Sequence, residues 1–204
     1  MSKGRRTEHN REKILTTGME LFTRQGYHAT GLKEILDACE IPKGSFYNFF
    51  DSKEAFAIEI IEHYQAIELA RWNETLELYP GNRLDGIHSL IQEAICCHQD
   101  EPDKIGCLLA NLSGEIVQAS PALHQCIRES ITRILDAIEG DIRLCQQEGS
   151  IRSDFSARQL AEMIWDHWQG AILRMKVEQR IDPLIAHCDN FMRILRASEL
   201  TQQA

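Results

Sequence analysis

Residues 41–56 read IPKGSFYNFFDSKEAF. Pro42 suits the opening of a helix, where a missing N–H costs nothing. The spacing predicts a brief helix from about Lys43 to Phe49. On it Phe46, Phe49 and Phe50 stand at i, i+3 and i+4, on one face, where they can bury together. Lys43, Gly44, Ser45, Tyr47 and Asn48 are left for the other faces. That set is rich in donors and holds no carboxylate. A helix N-terminus attracts phosphate through its free N–H groups and dipole, and Gly44 lets another backbone approach closely. The residues leave two readings open: a short packing helix with a solvated face, or a helix that grips an acidic polymer while its aromatics anchor it.

The flanking sequence extends the second reading. Upstream, Thr7 is placed to cap a first helix carrying Ile14, Gly18, Leu21 and Phe22 on one face, with Gly26 to end it. A short second helix follows Thr30, with Leu32, Ile35, Leu36 and Cys39 inward, and Ile41 packs under the turn. Asp51 and Glu54 form a cap-like pair at the head of a long fourth helix. Helix, turn, helix over residues 30–50 is the arrangement in which the second helix enters the major groove while the first crosses the backbone. In that geometry Thr30, Tyr47 and Lys53 are assigned to phosphates, and Lys43, Gly44, Ser45 and Asn48 to base edges.

Residues 11–56, REKILTTGMELFTRQGYHATGLKEILDACEIPKGSFYNFFDSKEAF, resemble the N-terminal DNA-binding domain of the TetR family of one-component transcriptional repressors. The likeness includes the LFTRQGYHAT junction, IPKGSFYNFF and the SKE that opens helix four. The family often has alanine where Gly31 or Leu32 falls and histidine at Asn48, so the resemblance leaves the operator sequence open. It implies an all-α homodimer that binds operator DNA and carries an effector pocket in its C-terminal body.

Composition agrees with such a chain. Of 204 residues 43% are hydrophobic, with only 12 glycines and 5 prolines, against a loop-rich β protein or disorder. No run approaches the ~18 apolar residues of a membrane span, and the basic N-terminus lacks the apolar stretch of a secretory signal; a cytoplasmic protein is expected. The net charge of −9 hides an asymmetry. Residues 1–53 hold nine Lys and Arg against seven Asp and Glu, whereas the remainder holds 13 against 24. Seven cysteines, at 39, 96, 97, 107, 126, 145 and 188, include no CxxC and are expected mostly to be small core residues. The vicinal Cys96–Cys97 with His98 lacks the second pair that a metal site needs. No metal or cofactor is expected.

Helical spacing continues to the end. About nine helices are expected: a three-helix head joined without a loop, through helix four, to a helical body. Helix four should reach about Tyr79, helix five span about 83–99 and helix six about 103–118. Helix seven is capped at Ser120–Pro121, with apolar positions 123, 127, 131, 134, 138, 142 and 145. Helices eight and nine are placed at about 156–179 and 182–197. Residues 1–53 are read as the helix-turn-helix DNA-binding domain and 54–204 as the effector-binding and dimerisation domain. Helix eight carries Leu160, Ile164, Trp168, Ile172 and Met175; helix nine carries Leu184, Cys188, Phe191 and Leu195. These stripes either pack on helices six and seven or pair with a second copy as a four-helix bundle.

Residues 104–116, KIGCLLANLSGEI, resemble a GCLL-x-NL segment in a subset of the family. That subset includes repressors beside reductase genes that respond to electrophiles such as N-ethylmaleimide and quinones. Cys107 matches its cysteine, and Lys176 falls where some members also have lysine. A cysteine near a helix start, with Lys104 three residues earlier, is placed to favour thiolate. The alternative is a small residue beside Gly106 that allows close packing, with a non-covalent hydrophobic effector. Asn111, Trp165, His167 and Trp168 are candidate effector contacts. An enzyme with Cys107 as nucleophile is disfavoured, since no G-x-S-x-G, P-loop or H-E-x-x-H occurs. An adaptor that has lost DNA binding is disfavoured by Lys43, Tyr47 and Lys53.

Overall fold

The computed structural model describes the backbone of residues 3–100, 106–116 and 120–196, and the side chains of residues 11–99, 106–116 and 120–196. Among these are nine helices and no strand: α1 (Lys3–Ala29), α2 (Leu32–Cys39), α3 (Lys43–Tyr47), α4 (Lys53–Glu77), α5 (Arg83–Asp100), α6 (Leu108–Ile116), α7 (Pro121–Gln147), α8 (Ala157–Glu178) and α9 (Asp182–Leu195). None of the described helices is long and apolar enough to cross a membrane. The chain forms two compact units, Met1–Ile67 with Cys107–Ile131, and Glu68–Gly106 with Thr132–Ala204. Both α4 and α7 therefore begin in the first unit and end in the second.

In the first unit, α1 is already helical at Lys3, so Thr7 lies inside the helix rather than at its cap. Gly26 does not end it either. With φ 83 and ψ 175 it bends the chain, and a further turn runs on to Ala29. Gly18 serves a different need: a Cβ there would collide with the ring of Phe56, so α1 and α4 approach as closely as backbone allows. α2 closes on Glu40, left-handed at φ 55, whose N–H and that of Ile41 return to the carbonyls of Asp37 and Leu36. The opening of α4 is capped by Ser52, whose Oγ accepts from Ala55 N at 3.0 Å, and not by Asp51.

α3 is shorter than its spacing predicts. Phe49 N and Phe50 N both donate to Phe46 O, at 2.9 and 3.0 Å, which winds the chain out of the helix after Tyr47. Phe46 and Phe50 are consequently fully buried while Phe49 stays half-exposed. The third buried ring comes from α4: Phe56 lies 5.1 Å from Phe46 and 4.7 Å from Phe50, with Phe22 of α1 at 5.9 Å from Phe56. Such tilted and edge-on pairs contribute about 0.5–1.5 kcal/mol each beyond their buried area.

The second unit is tied by Asp141 of α7, which accepts from Trp72 Nε1 of α4 at 2.6 Å and pairs with Arg83 of α5 at 2.9 Å. Burial pushes its carboxyl up, and these two partners oppose the rise. α8 starts in a reciprocal capping box between Ser156 and Gln159. The stripes of α8 and α9 turn inward: Leu160, Ile164, Ile172, Leu184, Cys188, Phe191 and Leu195 are buried, with Trp168 and Met175 half-buried. His187 is buried with them, stacked on Phe191 at 5.6 Å and on His167 at 4.5 Å. Burial, reinforced by His167, holds its imidazole down to about 4.

Phe46→Ala is expected to destabilise the fold by about 3–5 kcal/mol, as for a fully buried ring, and Phe49→Ala by clearly less; urea unfolding followed by circular dichroism separates them. His187 recovers an ordinary value of 6.5 on unfolding, so the unfolded chain binds the extra proton. Its contribution is full above that value and is lost as pH falls from 6.5 toward about 4. Thermal melts across this window should show a shallower acid decline in His187→Gln than in the natural chain.

Candidate nucleic-acid interface and sensing site

α3 presents what its residue types promise. Lys43, Gly44, Tyr47 and Asn48 are exposed and Ser45 half-exposed, above the buried Phe46. Tyr47 is held edge-on to Phe46 at 5.5 Å, and Lys43 Nζ lies 5.8 Å from the Tyr47 ring. Both side chains of this outward face are thus partly ordered by their neighbours. A Cβ at Gly44 would meet nothing within 4 Å. Internal packing therefore does not require glycine, although glycine costs a helix about 1 kcal/mol relative to alanine.

Two of the residues expected at phosphates are engaged inside the first unit. Thr30 is fully buried and its hydroxyl donates to Gly26 O at 2.7 Å, so that hydroxyl is spent on the α1 bend and does not reach outward. The N-cap of α2 is Gly31 instead. Lys53 is half-buried: Nζ donates to Tyr27 O at 2.5 Å and lies 4.3 Å from the centre of the Tyr27 ring. An ammonium has three protons, so the bond to Tyr27 leaves others for a phosphate. Burial lowers the Lys53 ammonium from its ordinary value, and the charge of Glu115 works against that. Arg11, not singled out from the sequence, pairs with Glu59 and lies 5.6 Å from the Phe50 ring.

Cys107 immediately precedes α6, and its carbonyl accepts from Asn111 N at 3.0 Å, the first turn of that helix. The sulfur is half-buried and receives the Tyr64 hydroxyl at 3.6 Å. Lys104 lies outside the described residues. Asn111 points toward α1, where Nδ2 donates to Thr23 O at 2.9 Å. Glu115, missed in the sequence, accepts from His28 N at 3.0 Å. Its signal was present: Glu115 lies four residues after Asn111, on the same face of a largely apolar helix.

The remaining candidates lie in the second unit, all on α8. Trp165 is half-buried and Lys176 half-exposed. His167 is exposed and shares a hydrogen bond, Nδ1 to Nδ1, with His187. Trp168 packs against His187 at 5.4 Å and His98 at 6.5 Å. Both polar side-chain atoms of Gln169, and His187 Nε2, are buried without a hydrogen-bond partner among the described residues. Of the cysteines, only Cys39, Cys145 and Cys188 are buried, and burial pushes each of these thiols up. Cys96 and Cys97 are exposed and Cys126 half-buried, because their helical positions face outward. Among the described residues no group of three or more His, Cys, Asp or Glu is arranged to hold a metal ion.

Residues 14–60 match the family described as bacterial regulatory proteins, tetR family. Residues 84–193 match the tetracyclin repressor-like C-terminal domain. The chain is 34% identical over 192 residues to the HTH-type transcriptional repressor DhaR of Mycobacterium sp. strain GP1, covering 91% of this chain and 89% of that one. It is 30% identical over 190 residues to the repressor NemR of Escherichia coli K12, covering 91% and 96%. A crystal structure of the reduced form of E. coli NemR superposes with a TM-score of 0.81 over 93% of this chain and 99% of that one. That of a regulatory protein TetR from Rhodobacter sphaeroides superposes with 0.83 at 30% identity, over 91% and 98%. With both halves matched and near full-length relatives at this identity, the chain belongs to the TetR family of ligand-responsive, DNA-binding transcriptional regulators.

Proposed function

We propose that this protein is a cytoplasmic homodimeric repressor whose α3 reads operator DNA and which thiol-reactive electrophiles release through Cys107. The outward face of α3 carries the first half of this reading. Lys43, Gly44, Tyr47 and Asn48 stand clear of the fold on a floor of buried phenylalanine. Gly44 has no internal reason to be glycine, and a duplex backbone passing close to it supplies one. Tyr47 and Lys53 hold phosphates; Lys43, Ser45 and Asn48 face base edges. Functionally residues 1–53 form the DNA-binding part and the rest serves sensing and pairing.

A single five-residue helix reads only a few base pairs, so two half-sites about one helical turn apart are required. The exposed apolar residues Met163, Leu173 and Val177 of α8, with Ile185 and Ile194 of α9, supply the dimer face. The three on α8 lie on the opposite side of that helix from its buried stripe. A second copy covers them as a helix bundle.

Cys107 carries the sensing half. It stands at the start of α6, half-exposed, with the Tyr64 hydroxyl donating to its sulfur, and relatives include a repressor crystallised in a reduced form. With N-ethylmaleimide the thiolate adds across the ring double bond. A C–S bond forms, the neighbouring carbon takes a proton from water, and nothing leaves. The second reading, a non-covalent ligand, draws on the aromatic cluster around Trp168 and the unpartnered Gln169 and His187 atoms.

The test is a mobility shift on the DNA upstream of the protein's own gene, repeated with maleimide, quinones, aldehydes and oxidants. Lys53→Ala and Tyr47→Ala should weaken binding to all duplexes alike, each lowering the salt slope by about 1; an unchanged slope removes the phosphate assignment. Asn48 and Ser45 substitutions should change sequence preference by about 1–3 kcal/mol per altered contact. Gly44→Ala should fold at least as well and bind DNA less tightly. Cys107→Ser should keep operator binding and lose release by electrophiles; a serine variant that still responds favours the non-covalent ligand.

A further inference from the structure

Within the first unit, α6 grips the end of α1 at three points. Asn111 Nδ2 donates to Thr23 O at 2.9 Å, Glu115 Oε2 accepts from His28 N at 3.0 Å, and His28 Nε2 lies 3.3 Å from Glu115 O. Between these points the Gly26 bend opens a cleft, and the Glu115 carboxylate fills it: a Cβ on Gly26 would collide with that carboxylate. The bend is also where the DNA-reading elements are fastened. Thr30, leading into α2, donates its hydroxyl to Gly26 O at 2.7 Å, and Lys53, the first residue of α4, donates to Tyr27 O at 2.5 Å. Residues 26–30 thus meet α6 through Gly26 and His28, hold Lys53 through Tyr27, and lead into α2 through Thr30.

We propose that Glu115 is the positioning residue that couples Cys107 to DNA, by seating its carboxylate in the Gly26 cleft and fixing the α1 bend that carries Thr30, Lys53 and the helices they hold. The inference rests on the reading that an adduct on Cys107 releases DNA, and it names the part that transmits the event. α6 has nine residues, with Cys107 at its head and Glu115 in its last turn. A bulky adduct cannot keep the Tyr64 contact at Cys107, and displacing the head of so short a rod displaces its tail. The carboxylate then leaves the cleft, His28 N–H loses its acceptor, and the bend is free to relax. A close-packed contact of this kind switches between arrangements rather than deforming gradually.

Linkage gives the test a readout besides repression. If adduct formation weakens operator binding by some factor, operator binding disfavours the adduct state by the same factor. The full-length protein is treated with N-ethylmaleimide, and modification of the Cys107 peptide is followed by mass spectrometry with and without saturating operator. Operator affinity before and after modification is measured by fluorescence anisotropy. In the natural chain, alkylation should weaken operator binding about 5- to 150-fold, the usual range of such coupling, and operator should slow Cys107 alkylation because the head of α6 must move for the thiolate to add. Glu115→Ala should bring both effects close to one while leaving the alkylation rate of the free protein unchanged. Glu115→Gln, which keeps an acceptor for His28 N–H and loses the charge facing Lys53, should retain part of the coupling, and it carries the test if Glu115→Ala does not fold. Full coupling in folded Glu115 variants overturns the role of Glu115 and leaves sensing by Cys107 standing. An alkylated natural chain that binds operator unchanged overturns the sensing reading and the coupling with it.

Discussion

The aromatic cluster beneath α3 is the contact on which the DNA-reading surface depends. A five-residue helix has one turn of hydrogen bonds and no stability of its own. Its position is set by Phe46 and Phe50 locking against Phe56 and Phe22, drawn from α4 and α1. Because these rings are buried, no polar residue of α3 is needed for anchoring, and Lys43, Tyr47 and Asn48 are left to the outside.

The α1 bend is the second constraint, and it follows from a single residue. Gly26 at φ 83 takes a conformation that a side chain resists, and the volume a side chain would occupy is filled by Glu115 instead. The carboxylate stays half-exposed in the cleft, where it accepts from His28 N–H and its charge acts on the Lys53 ammonium. Such an arrangement adds little to net stability compared with an apolar plug. What it adds is conditional geometry, since a half-exposed charged group held by one N–H is easier to withdraw than a packed ring.

Much of this was legible in the sequence, and the boundary falls where tertiary context decides. Helix number and order follow from apolar spacing and from Pro, Gly and Ser punctuation, and the IPKGSFYNFF run marks α3 unambiguously. The spacing of three phenylalanines, however, assumes a helix that continues past Tyr47; the chain leaves it there, so Phe49 turns half outward and Phe56, from another helix, replaces it. Asp51 and Ser52 are both good caps, and only the path of the chain selects Ser52. Thr30 is a plausible phosphate ligand by type, but the bend at Gly26 offers its hydroxyl a nearer acceptor. Asn111 reads as a pocket residue because an effector pocket combines apolar walls with a few polar groups; the sequence could not say that its amide donates to the Thr23 carbonyl.

The distribution of the cysteines completes the account of sensing. Cys39, Cys145 and Cys188 are buried, and burial raises their thiols away from the reactive anion. Cys96 and Cys97 are exposed on α5, in the unit that does not contain α3. A reagent can reach them, but an adduct on an open helix face disturbs little around it. Cys126 lies in the first unit on α7, its sulfur 3.9 Å from the Ile58 carbonyl. It sits within a 27-residue helix that one displaced turn barely moves. Cys107 differs in mechanics. It is half-accessible, at the end of a nine-residue helix whose other end carries Glu115 into the α1 bend. Reactivity toward electrophiles is common to many surface thiols; in the proposed mechanism modification becomes a signal through the short α6 lever that joins Cys107 to the α1 bend.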